Sequence, residues 1–205
     1  MPPAHRETQP VHDPRVLRAI AHPVRNRVLH ELSAGGSMRA ADIARELGIP
    51  ANQASFHLRQ LAKYGLVEED PEAARDKRDR VWKLASEQGW SANLGELADE
   101  PGGRAAVQVF RRNAAAWGHL VVDAAYAAPQ GTGQEKDTVR TVTEEAVRLT
   151  KQEAQELTRD LEAVVAQWAA RTRGRDDADR RTYLLFSVLQ PHPDRPIADP
   201  PETER

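Results

Sequence analysis

The sequence predicts a mainly α protein with small β elements, and three observations carry that reading. Between Asp13 and Leu84, short apolar stripes at helical spacing are followed by two extended runs separated by a charged connection. Beyond Gly103, two longer stripes centred on Phe110 and Leu161 repeat every three to four residues. Outside the first unit, strand-like patterning is confined to two short stretches, so any second sheet is small.

In the first unit, Ala40, Ile43, Ala44 and Leu47 form one apolar stripe on a short helix. Gly48 stops it, because glycine takes the left-handed conformation that closes a helix, and Ile49 can return its side chain to the core. Pro50 suits the start of a second helix that turns Ala54, Leu58 and Leu61 inward. Asn52, Gln53, Ser55, His57, Arg59 and Lys63 are then expected on the outer faces. Amides, hydroxyls and cations on one face match base edges and phosphates: Asn and Gln pair with adenine, Arg with guanine, Lys and Ser with phosphate oxygens.

Tyr64-Gly65-Leu66-Val67 ends that helix and turns into an extended segment, for which Val81-Trp82-Lys83-Leu84 is the natural partner strand. The connection between them is acidic at its base and basic on its far limb. Arg75, Lys77, Arg78 and Arg80 are placed to meet a phosphate backbone or a minor groove. Helix, helix, turn, helix and hairpin in this order outline a winged helix-turn-helix over 13–88, with 1–12 expected to be disordered.

Three motifs in order, Ala21-His22-Pro23-x-Arg25-x-x-x-Leu29, Asp42-Ile43-Ala44-x-x-Leu47-Gly48 and Ser55-x-His57-Leu58-x-x-Leu61-x-x-x-Gly65-Leu66-Val67, resemble the DNA-binding domain of ArsR-type bacterial transcription regulators. The resemblance covers about the first 85 residues. It implies that Ser55 and His57 occupy recognition-helix positions, with Asn52, Gln53 and Arg59 beside them. Metal-sensing members of that family carry cysteine thiolates, or His and Asp ligands on a C-terminal helix. This chain has no cysteine, which excludes thiolate metal sensing and thiol redox sensing. His119 and Asp123 stand four apart on a helical stretch but are read as two polar residues of a solvated or interface face, because no second pair joins them. No metal and no cofactor is expected.

Composition fits an intracellular regulator. With 205 residues and 40% hydrophobic content, the chain can build cores without disulfides. No stretch has the length of a membrane span and the first residues lack a signal-peptide apolar region, so the cytoplasm is the expected compartment. The net charge of −2 argues against a general polyanion binder. Residues 1–90 hold 14 basic and 12 acidic side chains and residues 91–205 hold 15 and 19, a distribution that favours local phosphate contacts.

The second half, 89–189, reads as a helical dimerisation or effector region with a small sheet as its β component. A helix from Gly103 to Ala128 carries Ala106, Phe110, Asn113, Trp117, Leu120 or Val121, and Ala124 on one stripe. Glu145–Leu149 alternates like a short strand, and Thr150-Lys151-Gln152-Glu153 has the capping-box pattern. In the helix that follows, Ala154, Leu157, Leu161, Val164 or Val165, and Trp168 repeat in heptad fashion. Thr182–Leu189 reads as a second strand able to pair with the one near Val147. Phe110, Trp117 and Trp168 could frame an apolar effector pocket, although aromatics at helical spacing are more often core. The tail 190–205, with five prolines, is expected to be extended or disordered.

Gly131–Lys136 lacks the spacing of a phosphate loop, Asp176–Asp179 lacks the glycine and distal glutamate of a calcium loop, and no nucleophile, base and acid assemble in sequence. An enzyme is therefore not expected. The sequence points to a regulator that binds double-stranded DNA, as a homodimer because two-fold dimers place two recognition helices in successive major grooves. A small-molecule effector is a candidate further partner, and a membrane is not. The competing reading is a winged-helix protein-interaction module without DNA binding, distinguished by an exposed apolar patch where the polar face should be.

Overall fold

The computed structural model describes residues 8–76, 79–86, 88–127, 138–175, 177 and 180–193. Helix α1 (Pro14–Ala21) starts where local chemistry tells it to: Asp13 accepts the Arg15 backbone N–H at 2.7 Å, and Pro14 occupies the first turn, where its missing N–H costs nothing. Pro23 forbids a helical conformation at His22, so the chain breaks there and α2 (Pro23–Gly35) begins. The Arg25 guanidinium donates to the Ala19 carbonyl at 2.7 Å and the Arg18 carbonyl at 2.9 Å, satisfying the carbonyls that end α1.

After a two-residue strand, β1 (Gln9–Pro10), and these helices come β2 (Met38–Arg39), α3 (Ala40–Leu47) and α4 (Ala51–Ala62). At the head of α3 the Asp42 carboxylate accepts from both the backbone N–H and the guanidinium of Arg39, and that pairing holds its pKa below the usual value. Strands β3 (Val67–Glu69) and β4 (Val81–Leu84) form the hairpin, with Val67 opposite Leu84 and Glu69 opposite Trp82. β2 adds to the other edge of β4, giving a three-stranded sheet ordered β2-β4-β3. Val28, Leu32, Ile43, Ala54, Leu58, Leu61 and Leu66 fill the core beneath α2, α3, α4 and this sheet. Burying each of the larger side chains contributes roughly 1.5–3 kcal/mol.

Beside this core lies a second, made by Val11, Leu17, Leu97, Ala106 and Val107. Short helix α5 (Leu94–Asp99), capped by the Asn93 carboxamide, and long helix α6 (Gly103–Tyr126) pack here. Helix α1 joins the two cores, because Ala19 faces the first and Leu17 the second. The expectation that 1–12 would be disordered is corrected for residues 8–12: β1 pairs in parallel with β5 (Trp90–Ser91), and buried Val11 donates to the Ser91 carbonyl at 2.8 Å. Residues 1–7 lie outside the described residues.

Helix α7 (Lys151–Thr172) starts at the expected capping box, with Thr150 and Glu153 exchanging side-chain and backbone hydrogen bonds. Its heptad stripe is not buried, and no residue of α7 is. The expected C-terminal sheet is also absent. Glu145–Leu149 and Thr182–Leu189 are described, but neither forms a strand and the two do not pair. Alternating apolar residues need a neighbouring strand to pair with, and among the described residues none pairs with these stretches.

Candidate nucleic-acid interface

The candidate interface is the outer face of α4, held at a fixed angle by the turn that precedes it. Gly48 sits at φ 64°, its N–H returning to the Ala44 and Arg45 carbonyls, and the Ile49 N–H bonds to Ala44 at 3.0 Å. A side chain at Gly48 would meet open space, so the glycine is required by backbone conformation rather than crowding. Ile49 packs on the core and Pro50, extended at ψ 142°, redirects the chain into α4. Ala54, Leu58 and Leu61 anchor α4 with no exposed surface.

Opposite that anchor, Asn52, Gln53, Phe56, Arg59 and Lys63 are exposed along one side of the helix, and Ser55 is half-buried at its edge. The expectation for His57 is corrected. It is only 8% exposed, its ring 5.0 Å from that of His22, and it locks α4 to the start of α2. His57 lies three residues after Ala54 and four before Leu61, which places it on the buried side of a helix. Its Nδ1, the His22 Nδ1 and the Asn26 Oδ1 are buried without a hydrogen-bond partner among the described residues. Burial, and then the nearby Arg25 guanidinium, lower the pKa of both imidazoles.

Sequence reasoning missed Phe56, which is 50% exposed in the middle of the polar face. The signal was available: it falls four after Asn52 and three before Arg59. An aromatic ring there offers apolar contact to a thymine methyl, complementing the amides on either side.

The hairpin supplies a flanking element. Buried Val81 and Trp82 root it in the core, while Lys83 pairs with Glu68 at 3.6 Å and Asp70 at 3.8 Å. Arg80 is held by Glu69 at 3.4 Å, a solvent-exposed pair of the kind that contributes at most about 1 kcal/mol and can exchange for phosphate. Arg75 is exposed, and its backbone N–H bonds to Asp79. Lys77 and Arg78 lie outside the described residues.

The three aromatics considered for an effector pocket do not converge on one cavity. Phe110 packs on the second core, the Trp117 ring lies 5.7 Å from His30, and Trp168 is exposed with the Arg171 guanidinium 5.3 Å over its ring. An open cavity of about 410 Å³ lies elsewhere, between His12, Asp13, Arg15 and Arg18 on one side and Glu100–Gly102 on the other. His119 and Asp123 are both exposed, and among the described residues no cluster of three or more His, Cys, Asp or Glu side chains could hold a metal ion. Among the described residues no helix is long and apolar enough to cross a membrane.

With this geometry, the match of residues 20–70 to the helix-turn-helix domain family settles the local assignment. The N-terminal unit is a helix-turn-helix domain, and its hairpin makes it a winged one. No curated protein matches the chain. Among solved structures, the apo C30AH42A mutant of Lactococcus lactis ZitR is similar at 18% identity, with 72% of this chain and 83% of that chain covered and a TM-score of 0.32. The YusO protein from Bacillus subtilis is similar at 14% identity, with 75% and 83% covered and a TM-score of 0.29. Likenesses this slight add nothing to the local match.

Proposed function

We propose that the chain is a sequence-specific DNA-binding transcription regulator of the ArsR type, acting as a cytoplasmic homodimer and entering the major groove with α4. The single observation that carries this reading is the division of α4 into a fully buried anchor and an exposed face of Asn52, Gln53, Phe56, Arg59 and Lys63. That face carries amide donors and acceptors, cations and one apolar ring, the chemistry needed for adenine edges, phosphates and thymine methyls. Lone Phe56 among polar neighbours is not the apolar patch a protein-docking face would need.

The decisive experiment is binding to duplex from the region upstream of its own coding sequence, titrated with salt and challenged with unrelated competitor. Saturable binding that resists competitor and weakens steeply with salt is expected; binding equal to competitor at every salt concentration would refute the reading. In this assay Arg59→Ala should weaken binding to all duplexes and reduce the magnitude of the log–log salt slope by about one. An unchanged slope would take Arg59 off the phosphates.

Phe56 gives a test at the level of one methyl group. Replacing thymines of the bound site one at a time with uracil should identify at least one position where the loss is about fourfold, the worth of one buried methyl at ~0.8 kcal/mol. In Phe56→Ala that position should become indifferent to the methyl. Equal sensitivity in both proteins would assign the methyl contact to another side chain.

A further inference from the structure

Among the described residues after Gly118, no side chain is buried. Yet this part of the chain holds the uncharged run Thr182-Tyr183-Leu184-Leu185-Phe186-Ser187-Val188-Leu189. Tyr183, Leu185 and Val188 are 60%, 68% and 65% exposed, while Leu184, Phe186 and Leu189 are 44%, 44% and 47% exposed. The run is thus largely exposed on both faces, with the Phe186 ring lying over Gly118 of α6 and the Tyr183 hydroxyl accepting from the Val139 N–H at 3.3 Å. No main-chain hydrogen bond joins residues 182–189 to another described segment. An extended segment that is apolar on both faces has the composition of a strand within a covered sheet, and no strand pairs with it among the described residues.

Among the described residues, 138–150 does not pair with the run, and its own Val139, Val142, Val147 and Leu149 are exposed as well. Segments 1–7, 128–137 and 194–205 are polar and proline-containing, with Met1 and Ile197 their only large aliphatic residues. Helix α7 is in the same position as the run. A helix of this length gains most of its stability from packing an apolar face, but its Leu161, Val164, Val165 and Trp168 are 47%, 53%, 41% and 61% exposed. The end of α7 and the start of the run are fixed to one place: Arg173 donates to the Ser33 carbonyl at 3.3 Å and the Thr182 hydroxyl to the Glu31 carboxylate at 2.8 Å, both on α2. Both segments are therefore anchored to α2 at that end.

We propose that a second copy of this chain covers them, with Thr182–Leu189 pairing antiparallel to itself across a two-fold axis and the α7 stripe contributing to the same interface. The run carries no charge, so self-pairing sets no like charges against each other. A two-fold interface uses one patch on both subunits, and a run that lacks strand neighbours is its own best partner. Apolar side chains present on the order of 100–200 Å² each. At about half exposure, the six apolar residues of the run and the four of α7 offer on the order of 500–1,000 Å² per copy, the range of the ~800 Å² per partner of a stable interface.

This inference refines the dimeric part of the function proposed above and is tested without DNA. Light scattering at tens of micromolar should give twice the 22.8 kDa mass of one chain. Leu185→Asp, at a site that touches neither core, should weaken dimerisation by at least about 100-fold by burying an unpaired carboxylate, and should keep the helical signal. Because the chain has no cysteine, single-cysteine variants from Leu184 to Val188 give an unambiguous second readout. Near the axis two copies bring identical positions within the ~3.8 Å Cβ separation of a disulfide, so at least one variant should cross-link fully on mild oxidation. If Leu185→Asp loses its helical signal, the cysteine series decides. A mass of 22.8 kDa overturns both this interface and the dimeric reading. A dimer that Leu185→Asp leaves intact, or that no cysteine in the run traps, overturns this interface alone.

Discussion

Gly103→Ala should destabilise the protein by about 3 kcal/mol or more, although alanine is the better helix former. Gly103 opens α6 directly under the end of α5, and a Cβ built there falls 1.7 Å from the Leu97 carbonyl oxygen and 2.9 Å from its carbon. Neither atom belongs to a flexible side chain. The clash is relieved only by moving α5 away from α6, which opens the second core where Leu97 is 1% exposed and Ala106 not at all. The fitting comparator is Gly48→Ala, whose Cβ would meet nothing within 4 Å but whose φ of 64° is left-handed. That strain costs about 1–2 kcal/mol. Urea denaturation of both variants separates crowding from backbone strain. Equal losses would mean that α5 and α6 are not in the close contact described.

What the sequence reveals of this fold is what local physics encodes. Helix α3, its glycine stop, α4 and the hairpin are legible because each depends on periodicity or a turn residue within a dozen positions, and the capping box of α7 is legible for the same reason. The pairing of β1 with β5 is not, since two residues on each side carry no detectable pattern and the partners lie some eighty positions apart. The interface face illustrates a subtler limit. Assigning polar residues outward misplaces His57, whose neighbours at three and four residues, Ala54 and Leu61, are both fully buried. Phe56, 50% exposed on the same helix, is passed over because neither set includes it. Helical position relative to already identified core residues corrects both; residue polarity alone does not. The C-terminal runs fail differently. Their strand-like composition is real, but no strand pairs with them among the described residues, so the pattern has no counterpart in the fold.

The second large effect is on stability in mild acid. The pKa values of His22, His30 and His57 are all lowered, in each case first by burial, and for His22 and His57 next by the Arg25 guanidinium. Arg25 cannot retreat, since its guanidinium holds the Ala19 and Arg18 carbonyls at the end of α1. Protonating either imidazole places a second cation beside it. The folded protein thus binds fewer protons than the unfolded chain, whose histidines titrate near pH 6.5. Stability from these groups is complete above that value and is lost as pH falls below it, at up to about 1.4 kcal/mol per pH unit for each histidine. Below about pH 6.5 all three act in the same direction, read as a falling urea midpoint. Asp13, Asp42, Asp70 and Glu153 have lowered pKa values and titrate below this window, so they do not contribute to the slope. His57→Leu should flatten the profile by one histidine's share even if it changes stability at neutral pH. Because His57 packs α4 against the start of α2, DNA affinity should decline over the same range. A urea midpoint that stays constant from neutral to mildly acidic pH would show that these imidazoles are solvated in the folded state, and the account of how α4 is anchored would fall with it.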